Sequence, residues 1–392
     1  MISLTTAESA LKDAYLNAVS NQLNTNANPL LSKIKQSSAD VYGKNIIKMA
    51  PIGLNGGVGA GDEVGALPTA KSNRYAQFKT TLKNLYGQIA ITDKAIRASQ
   101  SSAGAFVDLL NAEMEGLLTA SKFNLGRMLY GDGTGALSTV ASQAGKVITF
   151  DSVKNFAEGM CIDIYNGETA VIKGLRVMSV DRINKTVTVD STPTTLADGY
   201  IAYVQGSKDY EITGLGAIFG STETLYGLNR AENGWLTPYT NKAEEEVEIS
   251  DNLLQTAVDY LAENSGSNID IITCGAGVRR AYMDYLSYYR RNVDVMNLEG
   301  GYKAISFNGI PVVADRFVED DELYMLDSSK FTLHQLCDWE WIEGENGNIL
   351  HQNAGYPTYT ATLVKYADLI CDQPNGQAKF SNIKSSVANP FA

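Results

Sequence analysis

Hydrophobic positions recur at helical spacing through one long stretch of this chain, while the segments around it read as shorter elements. From Ser102 to Tyr130, the residues Phe106, Leu110, Met114, Leu117, Ser121, Leu125 and Met128 follow one another at steps of three or four, on one stripe of a helix. Asp108, Glu115, Lys122 and Arg127 fall largely off the stripe, and Gly131-Asp132-Gly133 supplies the turn chemistry that ends a helix. At its usual rise such a helix runs roughly 40 Å, so a sheet or another chain must lie beside it. Gly116 and Gly126 sit inside it at a cost of about 1 kcal/mol each relative to alanine, which points to close packing or bending.

Residues 1–23 open with a capping-box pattern, Thr5 to Glu8, followed by Ala7, Leu11, Tyr15, Ala18 and Val19 on one helical face. Asn24–Pro29 breaks that helix, and Leu30–Lys48 carries scattered apolar residues without a stable period. This predicts an arm that lies on another part of the protein or on a neighbour. Gly53–Gly65 holds six glycines and leads into an extended stretch that ends at Ile91. Within it, the alternation of Tyr75, Gln77 and Lys79 suits one leg of an exposed hairpin, which needs support because two strands alone are not stable in water.

Beyond the long helix the period changes. Between Lys146 and Gly214 several β-rich runs separated by Gly, Asn and Asp predict a small all-β module, a barrel or sandwich, with Asp181–Lys185 as a hairpin turn. Glu244–Glu246 reads as a solvated turn. Ser250 is placed to cap a helix carrying Leu254, Ala257, Val258 and Leu261, with Gly266 past its end. Asn268–Thr273 reads as a strand, Val278–Arg291 as a helix and Ile305–Val313 as extended chain. Leu323–Leu326, Phe331–His334 and Thr358–Ile370 read as strands, a candidate sheet for the long helix, and the tail after Pro374 reads as poorly held. The fold class is therefore α+β.

A chain of 392 residues, 44% of them hydrophobic, is ample for two or three structural units. Its net charge of −12 argues against a nucleic-acid reader, which needs a basic face to neutralise phosphates. Cys161, Cys274, Cys337 and Cys371 lie far apart without a CxxC pair, so free thiols are expected in a protein made in a cytoplasm. No apolar run approaches the roughly 20 residues that span a bilayer.

The chemistry on offer is thin. Gly53–Gly65 is no phosphate cradle, because no Gly-Lys-Ser/Thr follows it. Thr273–Arg280 has the strand-to-helix setting of a dinucleotide fingerprint, yet Arg280 stands at its third glycine position. Gly131–Ala136 has a similar spacing but follows a helix. His334 and His351 lie in no metal-ligand pattern, and Glu113 and Glu115, two apart on a helix, cannot face each other as an acid/base pair. Arg279, Arg280, Arg290 and Arg291 mark the two ends of one helix, where a helix-face or subunit-contact role outweighs anion binding. Catalytic, cofactor and metal residues are accordingly expected to be none.

Taken in order, these segments resemble the major capsid protein of tailed bacteriophages, the Hong Kong 97 type of shell subunit. The resemblance rests on the arm, the loop from Asn55 to Ile91, the helix closing in Tyr130–Gly135, and the stretches Ile269–Tyr282, Phe307–Val312 and Tyr324–Asp327. It implies an N-terminal arm at 1–52, a projecting loop at 53–92 and a peripheral-domain spine helix at 93–138. An inserted β module follows at 139–216, a connecting segment with the axial domain at 217–312, and peripheral return strands with the tail at 313–392. It further implies hexamers and pentamers of an icosahedral shell around double-stranded DNA bound without sequence specificity, no membrane, and a virion location after assembly in the host bacterial cytoplasm. The arm begins almost at Met1, from which a separate scaffolding protein is expected, together with a portal. Gly56, Gly57, Gly59 and Gly61 in the loop, Gly116 and Gly126 in the spine, and Arg279 and Arg280 are the candidate assembly residues. The alternatives are a cellular encapsulin-like shell and a nucleotide-dependent enzyme working through Gly275–Arg280.

Overall fold

Leu117 of the long helix approaches a β-strand so closely that a methyl carbon at Gly87 would lie 2.9 Å from its Cδ1, and this contact sets the first layer of the fold. The computed structural model describes residues 28–94, 103–289, 295–297, 303–344 and 347–385. The helix, α1, runs Ala103–Tyr130. It rests on a five-stranded sheet in which Thr358–Cys371 is the hub, antiparallel both to Phe331–Trp341 and to Lys83–Thr92. Lys35–Ser37 adds a parallel edge to Phe331–Trp341, and His351–Gln352 pairs with the start of the hub strand. Met114, Leu125 and Leu129 of α1 join Leu85, Ile89, Leu333, Leu363 and Leu369 in one core.

A seven-stranded sheet forms the second unit, in the order Tyr239–Val247, Ala378–Ile383, Leu323–Leu326, Ile271–Cys274, Ile310–Ala314, Lys303–Phe307 and Val295–Asn297. Two helices pack on it, α2 at Asp251–Ser265 and α3 at Ala276–Tyr289. Their apolar stripes, Leu254, Ala257 and Leu261 from one and Val278, Tyr282 and Leu286 from the other, meet Ile272, Val312 and Phe380. The start of α2 is fixed as its sequence predicts: Ser250 Oγ accepts from Leu253 N at 3.2 Å and Gly266 closes the helix at φ 63°.

Six strands close into a barrel between these units: Ala136–Ala144, Val147–Phe150, Cys161–Asn166, Thr169–Asp181, Thr186–Val189 and Ile201–Val204. Ile148, Phe150, Phe156, Ile162, Val187 and Ala202 fill its interior. The barrel starts ten residues before Lys146, because Ala136–Ala144 is too poor in large apolar residues to announce itself. Asp181–Lys185 makes the expected hairpin turn, with Asp181 Oδ1 accepting from Ile183 N and Lys185 in the left-handed region at φ 53°.

Several expectations change. Arg127 is buried, not off the packed face. Lys83–Thr92 belongs to the core sheet, so the legs of the projecting hairpin are Asn45–Ile52 and Arg74–Thr81. Glu244–Glu246 lies within the strand Tyr239–Val247, not in a turn. The tail is held as far as Lys384, since Pro374 and Gly376 are buried, Ala378–Ile383 pairs with two strands and Lys384 N donates to Val247 O. Leu30, Leu31 and Ile34 of the arm are buried in the first core, after a turn in which Asn28 Oδ1 accepts from Leu30 N and Leu31 N. The helix expected in residues 1–23, with Arg290 and Arg291, lies outside the described residues.

Candidate assembly surfaces

The hairpin is anchored at its base and bare at its tip. At the base Phe78 is fully buried, its ring 5.3 Å from that of Tyr226 and 5.6 Å from that of Trp235. Lys79 N donates to Tyr226 O, and Lys48 Nζ donates to Asp372 Oδ2 at 2.7 Å. Thr80 Oγ1 donates at 2.7 Å to Asp368, a buried carboxylate that also accepts from Thr213 N and Thr213 Oγ1. Burial pushes the Asp368 carboxyl up, and these donors pull it back.

Beyond Ile52 and Arg74 the two legs separate into a tip whose apolar residues have no core: Leu54 is 98% exposed and Val64 96%, with Val58 and Leu67 nearly as bare. The four predicted loop glycines lie here. Gly57 allows close approach, since a Cβ there would meet Lys71 N at 3.1 Å, and Gly59 faces Pro68 in the same way at 3.3 Å. Gly56 faces the Lys71 side chain more loosely, and Gly61 has only Ala66 O at 3.8 Å. The glycines therefore shape a narrow double-legged tip.

The C-terminal end of α1 is a second built feature. Arg127 is 3% exposed and forks onto Glu211, with Nη1 donating to Oε2 at 2.9 Å and Nη2 donating to Oε1. Glu211 lies on the chain leaving the barrel, so this pair ties barrel to helix. Just beyond it, a methyl carbon at Gly214 would stand 2.3 Å from Met128 O and 2.5 Å from Gly131 O, and only glycine permits that crossing. Arg230 staples the next segment by donating to Leu236 O, Ala217 O and Ile218 O. Pattern reading found neither Glu211, because no local period marks a partner 84 residues away, nor Arg230, whose acceptors are backbone carbonyls that no side-chain pattern marks. Gly126 is buried near this end, whereas Gly116 is exposed and a Cβ there would meet nothing within 4 Å.

The third candidate is the entry to α3. A Cβ at Gly275 would lie 2.0 Å from Glu319 O, and one at Gly277 would lie 2.7 Å from Asp320 O. Both glycines serve the passage of the 319–320 backbone over the strand-to-helix turn, and Val278 N is taken by Asp320 O. The place where a dinucleotide's pyrophosphate would sit is thus filled by the chain itself. Arg279 is half-buried and Arg280 exposed.

Candidate chemistry elsewhere is committed to structure. His334 is buried, its Nδ1 2.9 Å from Ala39 O, and burial lowers its proton affinity. His351 Nε2 lies 3.1 Å from Ile342 O. All four cysteines are free, and burial pushes the Cys274 thiol up to about 12, away from a reactive thiolate. Among the described residues no group of three or more His, Cys, Asp or Glu side chains is arranged to hold a metal, and no helix is long and apolar enough to cross a membrane.

No family model and no curated protein matches the sequence. Among solved structures, a chain of the cyanophage A-1(L) capsid asymmetric unit superimposes with a TM-score of 0.53 at 12% identity, covering 93% of this chain and 93% of that one. A chain from the capsid of a native GTA particle has TM-score 0.46 at 11% identity, covering 91% and 90%. One from the holo-SrpI encapsulin complex of Synechococcus elongatus has 0.43 at 7%, covering 91% and 87%. The last two fall below the level at which a likeness carries weight. The first spans both chains nearly end to end, and it gives this chain a capsid-protein fold of mixed α and β structure.

Proposed function

We propose that this chain is the major capsid protein of a tailed bacteriophage, assembling through hexamers and pentamers into the icosahedral shell around a double-stranded DNA genome. The observation that carries the reading is the end-to-end likeness to a chain of the cyanophage A-1(L) capsid asymmetric unit. In Hong Kong 97 terms, α1 with the five-stranded sheet is the peripheral domain, the seven-stranded sheet with α2 and α3 is the axial domain, and the barrel is an insertion between them. The hairpin reaches over a neighbouring subunit, which would cover Leu54, Val58, Val64 and Leu67. Gly56, Gly57, Gly59 and Gly61 shape the tip that meets the neighbour, Gly116 lets the spine bend as the shell expands while Gly126 packs in its closed half, and Arg279 and Arg280 stand at a subunit contact. A scaffolding protein and a portal complete the partners, assembly takes place in the host bacterial cytoplasm, and the product is the virion. A net charge of −12 suits a container that must not grip the duplex it receives. No catalysis is assigned.

The test is sedimentation velocity with negative-stain imaging, on the full chain and on a variant with residues 54–72 replaced by a short Gly-Ser turn, each expressed with and without a scaffolding protein. The full chain should give rings, tubes or closed shells, and the trimmed chain should stay small while keeping its melting temperature. Normal assembly by the trimmed chain would remove the hairpin from the reading. A full chain that stays small throughout and binds adenine or nicotinamide nucleotides in calorimetry would overturn the shell altogether.

A further inference from the structure

A groove of about 460 Å³ runs along the seam between the barrel and the seven-stranded sheet, lined by the cations Lys154, Arg182, Lys185 and Arg316 and by the carboxylates Asp151, Asp315, Glu319 and Asp320, of which Asp315 is buried beside Arg316. Lys154 is spoken for, with Nζ 3.2 Å from Glu319 Oε2, 3.4 Å from Asp320 Oδ1, and donating to Val318 O. Arg182, Lys185 and Arg316 form no ion pair among the described residues. They are also gathered closely. Arg182 is near enough for its charge to weigh on Arg316, whose guanidinium is held over the Phe123 ring at 4.7 Å and beside the Phe317 ring at 5.4 Å. Like charges held together on a protein of net charge −12 mark a place for an anionic partner.

The chain carries a matching surface. Glu244, Glu245 and Glu246 are consecutive, exposed and without an ion pair among the described residues, on the outermost strand of the same sheet. Tyr239–Val247 is parallel to Ala378–Ile383, and both run in the direction of Ile271–Cys274 and Ile310–Ala314. The three glutamates and Arg316, which follows Ile310–Ala314, therefore lie at one end of the sheet. Four strand spacings, about 19 Å, separate them within one subunit, beyond a direct ion pair. Opposite charges at one end of a sheet, one set at its edge and the other past its centre, suit a head-to-tail contact between copies, which closes into a ring when the rotation from copy to copy divides a full turn. We propose that Arg182, Lys185 and Arg316 of one subunit receive Glu244–Glu246 of the next, as a charge-matched register within the capsomer. This rests on the shell reading.

Three full-length variants test it: R182E/K185E/R316E, E244K/E245K/E246K, and the two sets combined. The reversed positions are exposed, and melting curves report folding. Each triple reversal should raise the concentration at which particles form by about tenfold or more, and the combined swap should return it to near the wild-type value, as expected for charge pairs that set register and specificity. Unchanged assembly by either folded triple variant, or no rescue in the combined one, would overturn the inference while wild-type particles leave the shell reading intact. Wild-type protein that forms no particles under any of these conditions overturns both. Duplex DNA bound by the wild type and lost in R182E/K185E/R316E would give the groove to nucleic acid instead. As a second readout that leaves Arg316 in place, R182E/K185E alone should lie between the wild type and the triple.

Discussion

The two halves of α1 are held in opposite ways. Near its C-terminus the helix is enclosed: Leu125, Gly126, Arg127 and Leu129 are buried, Glu211 clamps it to the barrel exit, and the backbone at Gly214 crosses its last carbonyls at a distance no side chain allows. Around Gly116 only one face is covered, by Met114 and Leu117 against the sheet, while Glu113, Glu115, Gly116, Thr119 and Ala120 face outward. Continuous packing on one half and half-coverage on the other make a rod that is fixed where the barrel joins it and left open where a neighbour can lie. Stability is concentrated at the first place, and freedom to meet partners at the second.

Breaking the closed end should cost most. Glu211→Gln leaves the Arg127 guanidinium buried without its counter-charge, which typically costs about 3–5 kcal/mol. Urea unfolding of the isolated subunit should register that loss. Replacing both partners by apolar residues of similar size should cost far less, since neither buried charge then needs a partner. A loss no greater than about 1 kcal/mol for the single change would mean that the pair is solvated and the clamp weak.

The same end carries a pH dependence. Asp315 sits beside Tyr130, the last residue of α1, and burial raises its carboxyl to about 6 despite the Phe317 N–H and the neighbouring Arg316. In the unfolded chain an aspartate titrates near ~4, so between about pH 4 and pH 6 the folded state holds a proton that the unfolded state has released. Stability from this group therefore falls as pH rises through that window and is flat above it, by about 3 kcal/mol at most. Asp315→Asn should flatten the window and raise stability at pH 7, because an amide keeps the acceptor for Phe317 N, and its N–H groups can donate to the neighbouring Tyr130 Oη. Unfolding free energies at pH 4.5 and 7 check the sign. A variant less stable than wild type at pH 7 would show that the ionised carboxylate is the form the fold prefers.

These contacts explain which parts of the molecule could be read from residues alone. The helical stripe named Met114 and Leu125 correctly, and Ser250 and Gly266 marked the ends of α2, because both signals are local. Arg127 was misplaced because its burial depends on Glu211 across the whole barrel. Tyr239–Val247, an edge strand with three exposed glutamates, has too polar a pattern to announce itself, although sheet edges tolerate such charge. Gly275 and Gly277 imitated a nucleotide fingerprint because two different needs, a phosphate and a crossing backbone, both exclude a Cβ. The loop glycines were legible as a flexible connection, but which legs they join was not, since Asn45–Ile52 is recognisable as a strand only once Ile46 and Ala50 are seen to share a core with Phe78.

The smallest effect belongs to the open half and sharpens the contrast most. Gly116 is helical, exposed, and has no atom within 4 Å of where a Cβ would stand, so alanine enters without a clash. It also removes backbone freedom from the unfolded chain, and the two effects together should stabilise the subunit by about 1 kcal/mol. A rise of that size in the unfolding free energy would show that glycine is kept here against the interest of the isolated fold. On the proposed shell reading, expansion of Gly116→Ala particles equal to that of wild-type particles would mean that the open half serves for surface and not for bending, and the glycine's place would fall to a neighbour's close approach. If expansion stalls while the subunit is stabilised, the spine flexes at Gly116, on the half of the helix that the barrel and its clamp do not hold.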